Sequence, residues 1–328
     1  MRILILGGNG FVGSYLTRNL LANGHSVTSV DNLLKYGPIR HDFYDNKNFT
    51  FVKRDVRNMY PNEFKGYDHV VCLAALIGGT VYMDRYPYQI ARDNTEILNY
   101  AIDCTLAGSP DATFHFSSSS MVYEHATTIV SEEDTKDQKW PATHYGMQKL
   151  FGEYLVKGAH NEYGLNYIVM RFFSAVGSGD LPHMNTNGEL EFGIGHVIPD
   201  FASKALKKQS PFEIIGDGKQ VRTFTHVKDT VSAVTAIIEK NMKNDDFNIC
   251  SDVDTTITMG ELAERVWEKA NPGSKIPEIK HIPAPKNDVR FRVGSCEKAK
   301  RLLGWSPKYN LDYILDDVVE YLRPQIKA

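Results

Sequence analysis

Residues 1–13 read MRILILGGNGFVG, and no other stretch constrains the fold as much. Arg2 to Leu6 is a short Ile- and Leu-rich run bounded by glycine, the pattern of a strand buried on both faces. Gly7, Gly10 and Gly13 follow at three-residue spacing, and residues 11–21 carry helical periodicity. A strand, a glycine turn and a helix in that order make a phosphate cradle. The glycines permit a tight turn and close backbone approach, and the helix N-terminus offers free N–H groups and positive dipole to a pyrophosphate. A glycine pattern alone also fits a turn that binds nothing. Its setting between strand and helix selects a dinucleotide site, to which Gly7, Gly10, Phe11, Val12 and Gly13 are assigned.

Residues 25–30 form a second strand ending at Asp31. An acidic side chain there can accept hydrogen bonds from the adenosine ribose and repel a 2′-phosphate, which favours NAD over NADP. A turn cap is the alternative role for Asp31, and Lys35 and Arg40 nearby soften the preference. Further strands are expected over residues 48–54, leading to Asp55, over 67–73, leading to Ala74 and Ala75, and over 112–116, leading to four serines, Ser117 to Ser120. The small residues after the fourth strand let the chain pass close to the cofactor. Residues 84–107, containing Asn94, read as one helix. Alternation of strand and helix predicts an α/β fold, a doubly wound parallel Rossmann sheet whose ligands bind beyond the C-terminal strand ends.

The second half is patterned differently. Residues 167–171 are a sixth strand, and 174–195 are rich in Gly, Asn and Pro and read as a long functional loop. Helices are expected over 196–208, 229–240, 258–269 (capped by Thr258), 298–303 and 311–322, with short strands at 212–215 and 221–225 and a last sheet strand at 246–249. The predicted division is an NAD-binding domain of residues 1–172 and 226–252 and a smaller C-terminal α/β substrate-binding domain of residues 173–225 and 253–328.

A net charge of −3 with no Lys/Arg block argues against nucleic acid or an anionic membrane as partner. No apolar stretch approaches membrane-spanning length. Cys72, Cys104, Cys250 and Cys296 lack paired metal spacing, so no metal is expected, and buried free thiols in a reducing cytoplasm are.

Tyr145 and Lys149 lie four apart at the start of a helix reaching to about residue 161, so they share a face. An ammonium beside a phenol lowers the phenol pKa, and such a phenol can take a proton from a sugar hydroxyl as hydride leaves. The same spacing occurs on ordinary solvated helices. The serine strand end and the glycine turn give it meaning here.

With GGNGFVG, VDN (residues 30–32), RDV (54–56), CLAA (72–75), FSSSSMVY (116–123), YGMQK (145–149), RFFSAVG (171–177), GDGKQVRTFTHVKD (216–229) and LGWSP (303–307) in place, the chain resembles the extended short-chain dehydrogenase/reductase family of nucleotide-sugar epimerases and dehydratases over nearly its whole length. The resemblance implies that Ser119 is the catalytic serine, Tyr145 the acid/base and Lys149 its partner. It also places Asp31, Asn32, Asp55, Val56, Leu73, Ala74, Ala75, Asn94, Tyr145 and Lys149 against the cofactor, NAD, with Asn94 bracing the active site. Ser120, Ser174, Arg222 and Arg290 are assigned to the substrate, Arg222 at the position where the family binds diphosphate. Arg292 is an alternative to Arg290 because the spacing is loose, and Arg171 reads as structural. The helices around residues 94–107 and 145–161 resemble those that pair across a two-fold axis, which implies a homodimer.

Departures narrow the chemistry. The family's dehydratases carry Thr-Asp-Glu where this chain has Ser119, Ser120 and Met121. Met121 cannot move protons, which counts against 4,6-dehydration and against decarboxylation, and no cysteine stands near it for 3,5-epimerisation. Ser174 replaces a usual Asn, Thr223 an Asp, Cys72 a His and Glu124 a Gly. The loop at 178–191 is polar and holds His183, a weaker substrate-ligand candidate. The expected activity is NAD-dependent nucleotide-sugar 4-epimerisation through a 4-keto intermediate. A net 4-dehydrogenase or reductase is the alternative, and a 4,6-dehydratase or a non-catalytic NAD(H) sensor ranks lower.

Overall fold

The computed structural model describes residues 1–136, 139–183 and 191–326. The first half runs β1 (Arg2–Leu6), α1 (Phe11–Ala22), β2 (Ser26–Asp31), β3 (Phe49–Lys53), β4 (His69–Cys72), α2 (Thr80–Arg85), α3 (Pro87–Gly108), β5 (Thr113–Ser119), α4 (His144–Tyr163) and β6 (Asn166–Phe172). The second half adds β7 (Ala175–Val176), α5 (Val197–Leu206), β8 (Phe212–Ile215), β9 (Val221–Thr223), β10 (Thr225–His226), α6 (Val227–Glu239) and β11 (Asp245–Ile249). It closes with β12 (Thr256–Thr258), α7 (Met259–Ala270), β13 (Ile279–Ile282), β14 (Phe291–Arg292), α8 (Glu297–Leu303) and α9 (Leu311–Leu322).

Seven parallel strands form one sheet in the order β11-β6-β5-β4-β1-β2-β3. β1 lies between β2 and β4, where the winding reverses, so a crevice opens at the carboxyl ends of these strands. Leu4, Leu6, Val70 and Phe114 pack on one face with Leu98 and Ala101 of α3 and Val156 of α4. Ile3, Ile5 and Val71 pack on the other with Leu16 of α1 and Val231 of α6. A sheet covered twice has no solvent face, which is why β1 and β4 are nearly uninterrupted apolar runs.

A separate apolar cluster joins α5, α7 and α9 through Phe201, Leu262, Val266, Ile314 and Val318. Three small sheets, β10-β7, β12-β9-β14 and β13-β8, accompany it. Local capping explains two of its helices. Thr258 and Glu261 form a reciprocal capping box at the start of α7, and Asn310 accepts from Tyr313 N at the start of α9.

The helix expected over residues 84–107 begins earlier and is broken. Pro87 cannot donate to a preceding turn, so it opens α3 as its first residue and leaves α2 as a separate short helix. The strand expected over 221–225 divides at Phe224 into β9 and β10, which serve different sheets. The loop expected over 174–195 contains β7, and its residues 184–190 lie outside the described residues.

Candidate active site

A cleft of about 810 Å³ runs along the carboxyl ends of the sheet strands and beneath the small sheets. Its first wall is the glycine turn. Gly7 has φ +85°, a left-handed conformation, and its amide donates to Val30 O at 2.7 Å. A Cβ on Gly13 would overlap the Gly7 carbonyl oxygen and lie 2.7 Å from Gly8 Cα, so α1 can abut the turn only without a side chain there. A Cβ on Gly10 would meet nothing nearer than 3.4 Å, so this glycine faces open cleft. No side chain caps α1 and its first turn holds no acid, so the amides of Phe11, Val12 and Gly13 and the positive dipole are left to an anion. The cradle therefore fits a dinucleotide pyrophosphate.

The adenosine side follows. The Asp31 carboxylate accepts Asn9 N at 3.1 Å and Leu33 N at 2.8 Å and still borders the cleft. Asn32 donates to Asp55 at 3.2 Å. Asp55 is held down to about 2, mainly by hydrogen bonds from Arg57, so it is an anion already paired. Val56 walls this end, and Leu73, Ala74 and Ala75 line the opposite side after β4. Asn94 does not border the cleft. It accepts from Leu76 N at 2.6 Å and donates to Leu76 O at 3.0 Å, so it braces that wall from behind rather than lining it. Lys35 and Tyr36 also line the cleft. Lys35 donates to Ile77 O at 3.2 Å, whereas Arg40 turns outward to Asp45. Tyr36 was not singled out by the sequence, because its loop has no periodicity to phase it.

Ser119 ends β5, and Tyr145 and Lys149 project from the first turns of α4. Thr143 caps that helix by accepting from Gly146 N at 3.0 Å. A Cβ on Gly146 would lie 2.7 Å from Met121 O, so the missing side chain lets α4 approach the end of β5 closely enough for Tyr145 to meet Ser119. Burial pushes the Tyr145 phenol up to about 12, and a hydrogen bond with Ser119 and the charge of Arg292 act the other way. Burial draws Lys149 down to about 8. The lysine differs from expectation. Its ammonium donates to Ser117 O at 2.7 Å and lies 5.7 Å from the centre of the Tyr145 ring. Spacing of four aligns the lysine stem with the ring, and the strand carbonyl then captures the charged end. Lys149 is thus anchored on the strand, with its charge near the ring rather than hydrogen-bonded to the phenol oxygen.

Ser120, Ser174 and Arg222 border the cleft. Arg290 does not. It lies on the surface in a paired contact with Asp217 at 2.8 and 2.9 Å, and Arg292 enters the cleft instead. Arg290 precedes β14, so strand alternation does not reach it. Arg171 is fully buried against Glu153 and Asp246, a structural position. His183 also borders the cleft. All four cysteines are buried free thiols. Among the described residues no helix is long and apolar enough to cross a membrane.

The sheet order, the glycine cradle and the acid/base groups beside it define a dinucleotide-binding enzyme fold of the doubly wound class. Residues 3–250 match the NAD dependent epimerase/dehydratase family; the chain belongs to that family, and its cofactor is NAD. It is 29% identical to GDP-mannose 3,5-epimerase of Arabidopsis thaliana over 334 residues, covering 100% of this chain and 83% of that protein. It is also 29% identical to UDP-glucuronic acid decarboxylase 4 of the same plant, covering 99% and 69%. Among solved structures, UDP-glucose 4-epimerase of Thermotoga maritima with UDP-glucose superposes with a TM-score of 0.83 at 29% identity, covering 100% of both chains.

Proposed function

We propose that the protein is a nucleotide-sugar 4-epimerase. The observation that carries this reading is the convergence of Ser119, Tyr145 and Lys149 at the cleft wall beside the glycine cradle, with no proton-moving side chain at Met121. The similarity to the Thermotoga 4-epimerase over the full chain supports it.

NAD, when bound, supplies a hydride acceptor and donor at the sugar carbon. The chain's own groups handle the proton and the placement. Tyr145 Oη exchanges the proton of the C4 hydroxyl, and Ser119 Oγ bonds the same oxygen. Burial raises the phenol to about 12, and Ser119 and Arg292 lower the cost of its ionised form, which takes the C4 hydroxyl proton as the sugar is oxidised; the phenol so formed returns that proton to the C4 oxygen on reduction. Lys149 is fixed on β5 by Ser117 O and keeps a cation beneath the site. Arg222, drawn down to about 9 by burial and the neighbouring Arg292, borders the cleft and is the group assigned to the diphosphate. Glu124 contributes no acid, because its carboxylate accepts Ala142 N at 2.7 Å and Thr143 N at 2.9 Å. Among the described residues the end of β5 therefore offers no carboxyl group to expel water, which favours oxidation and reduction at C4.

Residues 1–172 and 226–252 serve the cofactor in this reading, and 173–225 and 253–328 the nucleotide sugar. The outer sides of α3 and α4 expose Tyr88, Tyr100, Phe151 and Tyr154, the face of a cytoplasmic homodimer.

The test is incubation with NAD and a panel of UDP-, GDP- and dTDP-sugars, following absorbance and product mass. An isomer of unchanged mass without accumulated NADH is expected. NADH with a two-hydrogen mass loss would mean a net dehydrogenase, and loss of water or carbon dioxide would overturn the assignment. Tyr145→Phe should lose at least about a hundredfold in rate and keep NAD binding.

A further inference from the structure

Arg222 and Arg292 are direct cross-strand partners in the β9–β14 pair, and both border the cleft. Their surroundings differ. The Arg222 guanidinium donates to Val221 O at 2.9 Å and to Val289 O, and Asp288 lies 3.9 Å away. Arg292 has no such company. One terminal nitrogen donates to Ser174 Oγ at 3.0 Å and the other to Met121 Sδ at 2.8 Å, a thioether that accepts only weakly. Its Nε is sealed from solvent and has no partner. Among the described residues no carboxylate forms an ion pair with it. Glu124, the acid whose charge reaches it together with Asp288, is engaged by the N-terminus of α4.

A sequestered guanidinium without a carboxylate is costly, and such charges are normally paired. The missing partner is therefore sought in the ligand. The location says which part of it. Met121 follows Ser119 by two residues, so the guanidinium that contacts its sulfur lies beside the serine and tyrosine assigned to the reacting carbon, and its charge acts on the Tyr145 phenol. Ser174 adds a second sign of function. It holds φ +42°, a left-handed conformation that non-glycine residues rarely adopt, and in that pose its hydroxyl meets Arg292. A neutral hexose would leave the guanidinium with hydroxyl contacts alone. A planar carboxylate would take two parallel N–H donors from its fork.

We propose that the substrate is a nucleoside-diphosphate uronate, whose sugar carboxylate is read by Arg292 and Ser174 while Arg222 addresses the diphosphate. This rests on the nucleotide-sugar reading above and narrows it.

The test is calorimetric binding to the NAD-loaded enzyme of matched pairs: UDP-glucose with UDP-glucuronate, GDP-mannose with GDP-mannuronate, and dTDP-glucose with dTDP-glucuronate, with UDP, GDP and dTDP alone as references. For the nucleotide that binds, the uronate should bind at least about tenfold more tightly than its neutral partner, as expected for a site built around a polar group its competitor lacks. Arg292→Met should bring the two together and leave the bare diphosphate unchanged. Arg292→Lys, which keeps the charge without the fork, should restore part of the preference and guards against a folding defect. Equal affinity for both sugars in the unaltered enzyme would overturn the proposal. So would an Arg292→Met enzyme that loses the bare diphosphate as severely as the uronate, since Arg292 would then serve the phosphates. Absence of binding by every nucleoside diphosphate would instead remove the nucleotide-sugar reading, and the uronate subsite with it.

Discussion

Lys149 donates to the carbonyl oxygen of Ser117 at 2.7 Å, so the lysine of α4 is fastened to the strand that ends at Ser119. This bond spends a buried cation on positioning. Burial draws Lys149 down to about 8, below the unfolded value of 10.5. The unfolded chain then binds more protons between pH 8 and pH 10.5, and the lysine's contribution makes stability rise with pH across that window. Below pH 8 the charged form is a constant cost. Lys149→Met should raise the cofactor-free enzyme's stability at pH 7 by about 1–3 kcal/mol while turnover falls at least about tenfold. Thermal melts at pH 7 and pH 10 and a steady-state assay check both halves. A variant that is less stable at pH 7 would contradict the cost assigned to this cation.

The glycine turn gives a paired prediction. Gly13→Ala places a methyl group into the Gly7 carbonyl and against Gly8, both backbone and unable to yield cheaply. It should lower stability by about 1–3 kcal/mol and abolish NAD binding. Gly10→Ala meets nothing nearer than 3.4 Å and should leave the melting temperature of the cofactor-free protein nearly unchanged. Its methyl group points to the space the pyrophosphate would fill, so NAD affinity should still fall about tenfold or more. Melting curves and NAD titrations of both variants separate fold from ligand. Equal behaviour of the two would mean the turn is only structural.

Asp200 of α5 is fully buried, accepts Gly193 N at 2.7 Å through one oxygen and leaves the other without a partner. Burial pushes it up to about 7. A folded-state value above the unfolded one means the native protein binds the extra proton between about pH 4 and pH 7. Its stability contribution is therefore complete at low pH and lost as pH rises through 7. Asp200→Asn keeps an acceptor for Gly193 N and has no charge to bury. It should stabilise the protein at pH 8, by up to about 4 kcal/mol, and change little at pH 4.5. A gain that is the same at both pH values would show that ionisation is not its source.

What the sequence disclosed follows from the range of the forces involved. The cradle was legible because a turn that admits only glycine leaves a spaced record in the chain, and α9 was legible because one apolar stripe spans its length. The break at Pro87 was missed because residues on both sides fit a helix, and only the proline's missing N–H divides them. Arg290 and Arg292 could not be told apart because β14 is two residues long, too short to phase. The capture of Lys149 by Ser117 was hidden for a related reason. Helical spacing relates Lys149 to Tyr145, whereas β5 is brought alongside by tertiary packing.

Arg171 lies beneath the site with its side chain wholly inside the protein. It donates to the two Glu153 oxygens at 2.8 and 2.7 Å, to Asp246 at 2.6 Å and to the Tyr123 hydroxyl at 3.0 Å. Glu153 stands one helical turn after Lys149 and also accepts the Ser118 hydroxyl at 2.6 Å, so one carboxylate joins α4, β5 and β6 just behind Ser119. Glu153→Gln preserves volume and removes the charge. Arg171 would keep the Tyr123 hydroxyl but only one carboxylate, Asp246, and a broken buried pair costs about 3–5 kcal/mol, on the order of 10 °C in melting temperature for a chain of this size. Below the melting range turnover should also fall, because Ser118 loses a charged partner beside the serine that meets Tyr145. Replacing both residues, Glu153→Met with Arg171→Met, leaves neither charge uncompensated and should recover much of the stability but not the rate. Melting curves and turnover of the single and double variants decide it. If the single variant melts within 2 °C of the unaltered enzyme, by roughly the same conversion, this pair does not hold the strand end in place.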